Sequence, residues 1–128
     1  MHLHSHKEFV KKVYEEYKKI GYVECPAFPN EKIYFNQNGF RHLLRKGKKM
    51  REISAQVERL NLLKYVAKII NTSQSFVDYN KNKKDNPLDQ TKTSDFWSFK
   101  QRHDGLEIIV IIRQAKRGYK HFFSVMQK

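Results

Sequence analysis

Apolar residues along the chain change their spacing once, near residue 95, from a helical period to a period of two. In the first part, Phe9, Val10, Val13, Tyr17 and Ile20 recur on one helical face. They follow Ser5-His6-Lys7-Glu8, which has the form of a capping box, and Gly21 supplies a stop. The spacing predicts an amphipathic helix over about 6–20 behind a flexible start over 1–5. The alternating His2, His4 and His6 read as part of that start rather than as a metal site. Cys25-Pro26-Ala27-Phe28-Pro29-Asn30 cannot continue a helix, because two prolines break helix and ladder alike. Lys32-Ile33-Tyr34-Phe35 reads as a short strand. Asn36 or Asn38 can then cap a short helix through Phe40, Leu43 and Leu44, ended by Gly47. A longer helix is predicted over about 52–71, with Ile53, Val57, Leu60, Leu63, Ala67 and Ile70 in one stripe that Val66 and Ile69 thicken.

The segment 80–93 is polar, with Asn, Lys, Asp and one Pro, and reads as a mobile loop. Residues 96–101 then alternate as a strand and turn at Asp104-Gly105, a strong hairpin signal. Leu106 to Arg113 is β-branched and nearly apolar on both faces, as a central strand would be. Lys116-Arg117-Gly118 turns the chain again, and Tyr119 to Met126 returns as the last strand. A two-residue turn at Arg117-Gly118 would pair Arg113 with Phe122 and Ile111 with Ser124, placing Arg113, Lys120, Phe122 and Ser124 on one face. A loop one residue longer or shorter puts His121 there in place of Lys120. The expectation is one α+β domain over 1–128, with helices first, packed on one face of a small antiparallel meander.

Charge changes this picture most. Twenty-six Lys and Arg against thirteen Asp and Glu leave a net +13. Six cations (Arg41, Arg45, Lys46, Lys48, Lys49 and Arg51) fall in eleven residues without an acid, and Lys116 and Arg117 lie in a C-terminal stretch that has none after Glu107. Such a field captures polyanions. Nucleic acid is favoured over an acidic membrane, because no helix joins a basic face to the exposed apolar face that lipid insertion needs. No apolar run is long enough to span a bilayer. Cys25 is the single cysteine, so no internal disulfide is possible, and the expected site of action is the cytoplasm.

The common catalytic signatures are absent: no Gly-rich phosphate loop, no paired Cys or Cys/His spacing, no nucleophile elbow. Acids are scarce in the sheet half, which argues against a carboxylate-bound divalent metal there; no metal and no cofactor are expected. A chain that cuts phosphodiesters with such residues must use His, Arg, Lys and hydroxyl groups. That favours RNA, which carries its own nucleophile in the 2′-OH. His42 is the first candidate acid or base; it is expected near the start of the short helix, where the positive end of the dipole would keep it neutral. Arg113, Lys120, His121 and Ser124 are candidates to hold phosphate or donate to it, and Arg41, Arg45, Lys46, Lys48, Lys49, Lys116 and Arg117 to bind RNA.

The strand followed by Asn36-Gln37-Asn38-Gly39-Phe40-Arg41-His42-Leu43 resembles, in looser form, a signature of phage-associated members of the barnase, EndoU, colicin and RelE-like nuclease superfamily. Ile111-Ile112-Arg113-Gln114 and Gly118 to Val125 look like that superfamily's closing hairpin, so the resemblance covers about 31–126. It implies a compact toxin-like ribonuclease acting on tRNA or mRNA without metal. His42 would be acid or base, Arg113 the phosphate ligand, and Lys120, His121 and Ser124 would share the remaining roles. The glutamate that some barnase-type members carry on the sheet as base has no counterpart here. An acidic inhibitor or antitoxin is the expected protein partner. Two other classes fit the residues: a basic nucleic-acid-binding module without catalysis, and a protein-interaction domain of a phage or toxin system.

Overall fold

A computed structural model describes residues 3–86 and 89–128. Three helices, α1 (Leu3–Lys18), α2 (Gln37–Leu44) and α3 (Ile53–Thr72), accompany a six-stranded sheet. Its strands are β1 (Tyr22–Glu24), β2 (Lys32–Tyr34), β5 (Asp78–Asn86), β6 (Asp89–His103), β7 (Leu106–Ala115) and β8 (Lys120–Gln127), in the order β1-β2-β8-β7-β6-β5. β3 (Arg45–Lys46) and β4 (Lys49–Met50) form a separate small hairpin. From β5 to β8 the sheet is the expected antiparallel meander; only β2 and β8 run parallel, registered at Tyr34↔His121. The fold is α+β.

Ile108, Val110 and Ile112 of β7 point to one face and are fully buried, with Phe99 of β6 and Phe122 and Val125 of β8 in the same core. Leu60, Leu62, Val66, Ile69 and Ile70 of α3 cover that face. The buried line of α3 is therefore turned slightly from the predicted stripe: Leu63 and Ala67 are only partly covered. Asp104 and Gly105 both adopt positive φ (51° and 77°), as a two-residue turn twisted to match its strands requires.

The structure corrects the sequence reading in several places. α1 begins at Leu3, so residues 3–5 are helical and Ser5 is no cap; residues 1–2 lie outside the described residues. His6 explains the early start. Its Nε2 donates to Gln56 Oε1 at 2.9 Å inside the protein, which pins the first turn to α3. α2 is capped by Asn36, whose side chain accepts from the Gly39 N–H, and it ends at Leu44. Gly47, at φ +64°, turns the β3–β4 hairpin instead of ending the helix.

The largest correction concerns 80–93. Apart from residues 87 and 88, which lie outside the described residues, it belongs to strands β5 and β6. β5 is an edge strand with no buried face, so its polar composition is what an edge needs and looks like a loop. Tyr79 stacks on Trp97 at one end (5.2 Å between centroids), and the Asn82 N–H bonds Asp95 Oδ1 (2.8 Å) where the register slips.

The register of β7 and β8 also differs. Ile111 pairs with Ser124 as expected, but Arg113 pairs with His121, not Phe122. Phe122 and Val125 must both reach the core, and being three residues apart they cannot do so with a period of two. A β-bulge at Phe123 absorbs the extra residue.

α2 crosses β8 at Gly39, where an added Cβ would lie 2.2 Å from the Phe122 carbonyl oxygen. Backbone cannot step aside as a side chain can, so Gly39→Ala is expected to lower stability by about 1–3 kcal/mol. Urea denaturation checks this, and an unchanged midpoint would contradict the close approach.

Candidate functional site

The bulge at Phe123 sends three successive residues to different surroundings. Phe122 faces the core, Phe123 faces the open side of the sheet, and Ser124 shares the row of Ile111. Around the Phe123 ring gather three of the sequence-predicted residues. His42, from the last turn of α2, stacks on it at 4.1 Å between centroids and 27°. Arg113 lies over it, with Cζ 5.9 Å from the centroid, and the His121 ring is edge-on at 6.4 Å.

Phe123 forms the floor of a cleft of about 490 Å³ together with Phe96, Ser98, Ile111 and Arg113. Asn38, His42 and Lys46 make one wall; Asn80, Lys83, Lys84 and Asp85 of β5 make the other. Among the described lining residues, four cations (Lys46, Lys83, Lys84 and Arg113) thus face one carboxylate. A second cleft of about 530 Å³ adjoins it and shares Asn38 and Arg113 with the first.

Arg113 is fixed from two sides. Nη2 pairs with Asp85 Oδ2 at 3.1 Å, and Asp85 Oδ1 accepts from Ser94 Oγ at 2.7 Å. Nη1 lies 3.3 Å from His121 Nε2. A guanidinium only donates, so His121 Nε2 accepts, and its Nδ1–H goes to the Phe122 carbonyl at 2.8 Å. His121 is therefore a neutral imidazole, and burial, aided by the Arg113 charge, pulls its pKa below the usual value. The same logic holds for His42. Arg51 Nη2 lies 3.4 Å from Nε2, and Arg51 Nε donates to the His42 carbonyl at 3.2 Å.

His42 is pushed down to about 4, first by burial and then by Arg51, Arg59 and Lys46. Its neutrality was expected, but from the wrong cause. His42 sits in the last turn of α2, not the first, so the helix dipole would favour the charged form. Burial and three cations outweigh it. Arg51 is placed by Gln56, whose Nε2 donates to the Arg51 carbonyl (2.7 Å) while its Oε1 holds His6.

Two candidates lie elsewhere. Lys120 pairs with Gln114 and points to the core side, where its ammonium bonds Glu31 (2.7 Å) and sits 4.8 Å from the ring centres of Phe28 and Trp97. Ser124 is fully buried and accepts from Arg59 Nη1 at 2.9 Å, the same nitrogen that reaches the Val125 carbonyl at 3.2 Å. Its hydroxyl is taken up by Arg59, and Ser124 does not line the cleft. Arg41, Arg45, Lys46, Lys48, Lys49, Lys116 and Arg117 are all exposed. Of these only Lys46 lines the main cleft. Arg41 and Arg45 border a groove between α1 and α2, and Lys116 and Arg117 lie at the β7–β8 turn.

Sequence reasoning missed Asp85, Lys83 and Lys84, because they lay in the supposed loop and nothing in their spacing marks a strand. It also missed Arg51 and Arg59 as neighbours of His42. Cys25 is buried, with its Sγ 3.6 Å from the Ser73 carbonyl, and burial raises its pKa, as a structural thiol requires. Among the described residues no three His, Cys, Asp or Glu side chains converge as metal ligands, and no helix is long and apolar enough to cross a membrane. Compared with known proteins, the chain matches no family model, no curated protein and no solved structure.

The His42 environment fixes a pH response. Its folded pKa lies below the unfolded value of 6.5, so the unfolded chain binds the extra proton in between. The stability it contributes is full above about pH 6.5 and is lost as pH falls toward 4. His42→Gln should flatten part of the fall in urea midpoint over that window. The His42 imidazole resonance should titrate near 4 and move upward when inorganic phosphate is added; titration near 6.5, indifferent to phosphate, would contradict this electrostatic picture.

Proposed function

We propose that the protein is a metal-independent endoribonuclease that cleaves RNA through its own 2′-OH. The convergence of His42, Arg113 and His121 around the Phe123 ring, where a cationic cleft lined by His42 and Arg113 meets a second cleft lined by Arg113 and His121, carries the reading. Arg113 offers a fork of donors to a phosphodiester and to the charge that builds on it during attack. Asp85 acts as a positioning residue, aiming that fork. A neutral imidazole takes the 2′-OH proton as O2′ bonds to phosphorus. The second imidazole, protonated from solvent once the phosphate is bound, gives its proton to the 5′-oxygen as the P–O5′ bond breaks, leaving a 2′,3′-cyclic phosphate. His42 and His121 are the two imidazoles, and a bound phosphate, by opposing the nearby cations, raises the proton affinity of both.

The similarity of Asn36 to Leu43 and of the β7–β8 hairpin to the toxin-like nucleases supports the same chemistry, with tRNA or mRNA as substrate class. An acidic protein that covers the cleft is the partner such an enzyme needs inside the cell that makes it. A binding-only RNA module is the second reading. It is favoured by the fact that both Nε2 atoms already face an arginine.

Incubation of total RNA and tRNA with the purified protein in excess EDTA separates the two. Discrete cleavage is expected, with His42→Ala and Arg113→Ala each lowering the rate about 10²- to 10⁴-fold. Intact RNA at every protein concentration, beside a salt-sensitive band shift, would leave only binding.

A further inference from the structure

The second cleft has a feature that phosphate chemistry does not use. Tyr119, in the β7–β8 turn, is 76% exposed, yet its ring packs against Tyr34 at 5.4 Å and 58°. Tyr34 in turn packs against Tyr22 at 6.0 Å, through the registered β1–β2 pair, and Lys32 Nζ stands 4.5 Å above the Tyr22 ring. Three tyrosines therefore step along one end of the sheet. The outermost adds little to the core, because most of its surface stays in water.

We infer that Tyr119 and Tyr34 form a stacking subsite for an unpaired nucleobase next to the phosphate held by Arg113. The inference rests on the proposed RNA chemistry for its substrate class. Tyr34, Tyr119, Asn36, Asn38, His121 and Arg113 line this cleft, and its shared wall with the main cleft is Asn38 and Arg113. A strand whose phosphate sits at Arg113 carries one neighbouring base to each side: one into the main cleft, the other onto Tyr119. An aromatic face beside a fixed cation is the combination that binds single strands, since every base offers a π-face. A base inside a duplex already has both faces stacked and cannot use the platform, so the site selects unpaired RNA. Asn36 adds a polar edge. Its Oδ1 is committed to the Gly39 N–H at 3.0 Å, which leaves its NH₂ as the group able to donate to a base acceptor. The bland alternative is that Tyr119 merely shields Tyr34, and it makes no demand for bases.

The test uses RNA octamers fully 2′-O-methylated, so that no cleavage intervenes, compared with abasic octamers carrying the same phosphates. Wild-type protein should bind the base-bearing strand about 5- to 150-fold more tightly than the abasic one by fluorescence anisotropy. Tyr119→Ala should lose most of that preference while keeping its salt dependence, and Tyr119→Phe should retain it. A wild-type protein that binds both strands equally, or a Tyr119→Ala variant that keeps the full preference, would overturn the subsite. Because the strands are uncleavable, a preference for bases in a protein that fails to cut ordinary RNA sinks the catalytic reading alone. Cutting without any base preference sinks the subsite alone.

Discussion

Gly39 sits where α2 crosses β8 so closely that one methyl group would overlap the Phe122 carbonyl. Most of the site depends on that approach. It seats α2 against the sheet with Asn36 capping one end, and it brings His42, one turn later, onto the ring of Phe123. The bulge in β8 is the matching half of the device. It lets Phe122 and Val125 both enter the core while Phe123 turns outward, so that one strand serves packing and cleft together. Arg113, registered with His121 across the β7–β8 pair, then falls beside the same ring.

The charges around this seam work against local stability. Arg51 and Arg59 are partly buried close to each other, and burial lowers the pKa of both. Together with Lys46 they hold His42 neutral. Among the described residues, Arg113 is the one cation of the cleft with a carboxylate partner, Asp85. A cluster of cations gathered at this density is stabilised by an anion, and the proposed one is the RNA backbone. The repulsion in the free protein and the capture of substrate then have one origin.

Much of the architecture was legible in residues whose local chemistry has one solution. The Asp104-Gly105 turn, the apolar run of β7 and the Asn36 cap follow from φ preferences, β-branching and side-chain hydrogen bonding. The edge strand β5 was not legible, because a strand with neither face buried has no apolar period to read. The bulge was hidden for a related reason: only the joint burial of Phe122 and Val125 demands it, and burial of both is a property of the folded core. Of the candidate site, His42, Arg113 and His121 came together as the order of elements suggested. Lys120 left through the corrected register, and Ser124 through its bond to Arg59, which lies 65 residues away in sequence. Gly39 stood in the quoted motif, but its reason, contact with a strand more than eighty residues later, became visible only in the packing.

The central claim is that the seam assembles a site for chemistry on the RNA 2′-OH. The most direct measurement compares two otherwise identical oligonucleotides, one all-ribose and one with a single 2′-deoxy residue on the 5′ side of the mapped cleavage position, both in EDTA. The account predicts that the first is cut to a 2′,3′-cyclic phosphate end, identified by mass, and that the second is not cut at that position. Equal cleavage of both would contradict it, since an attacking group other than the 2′-OH would then be at work.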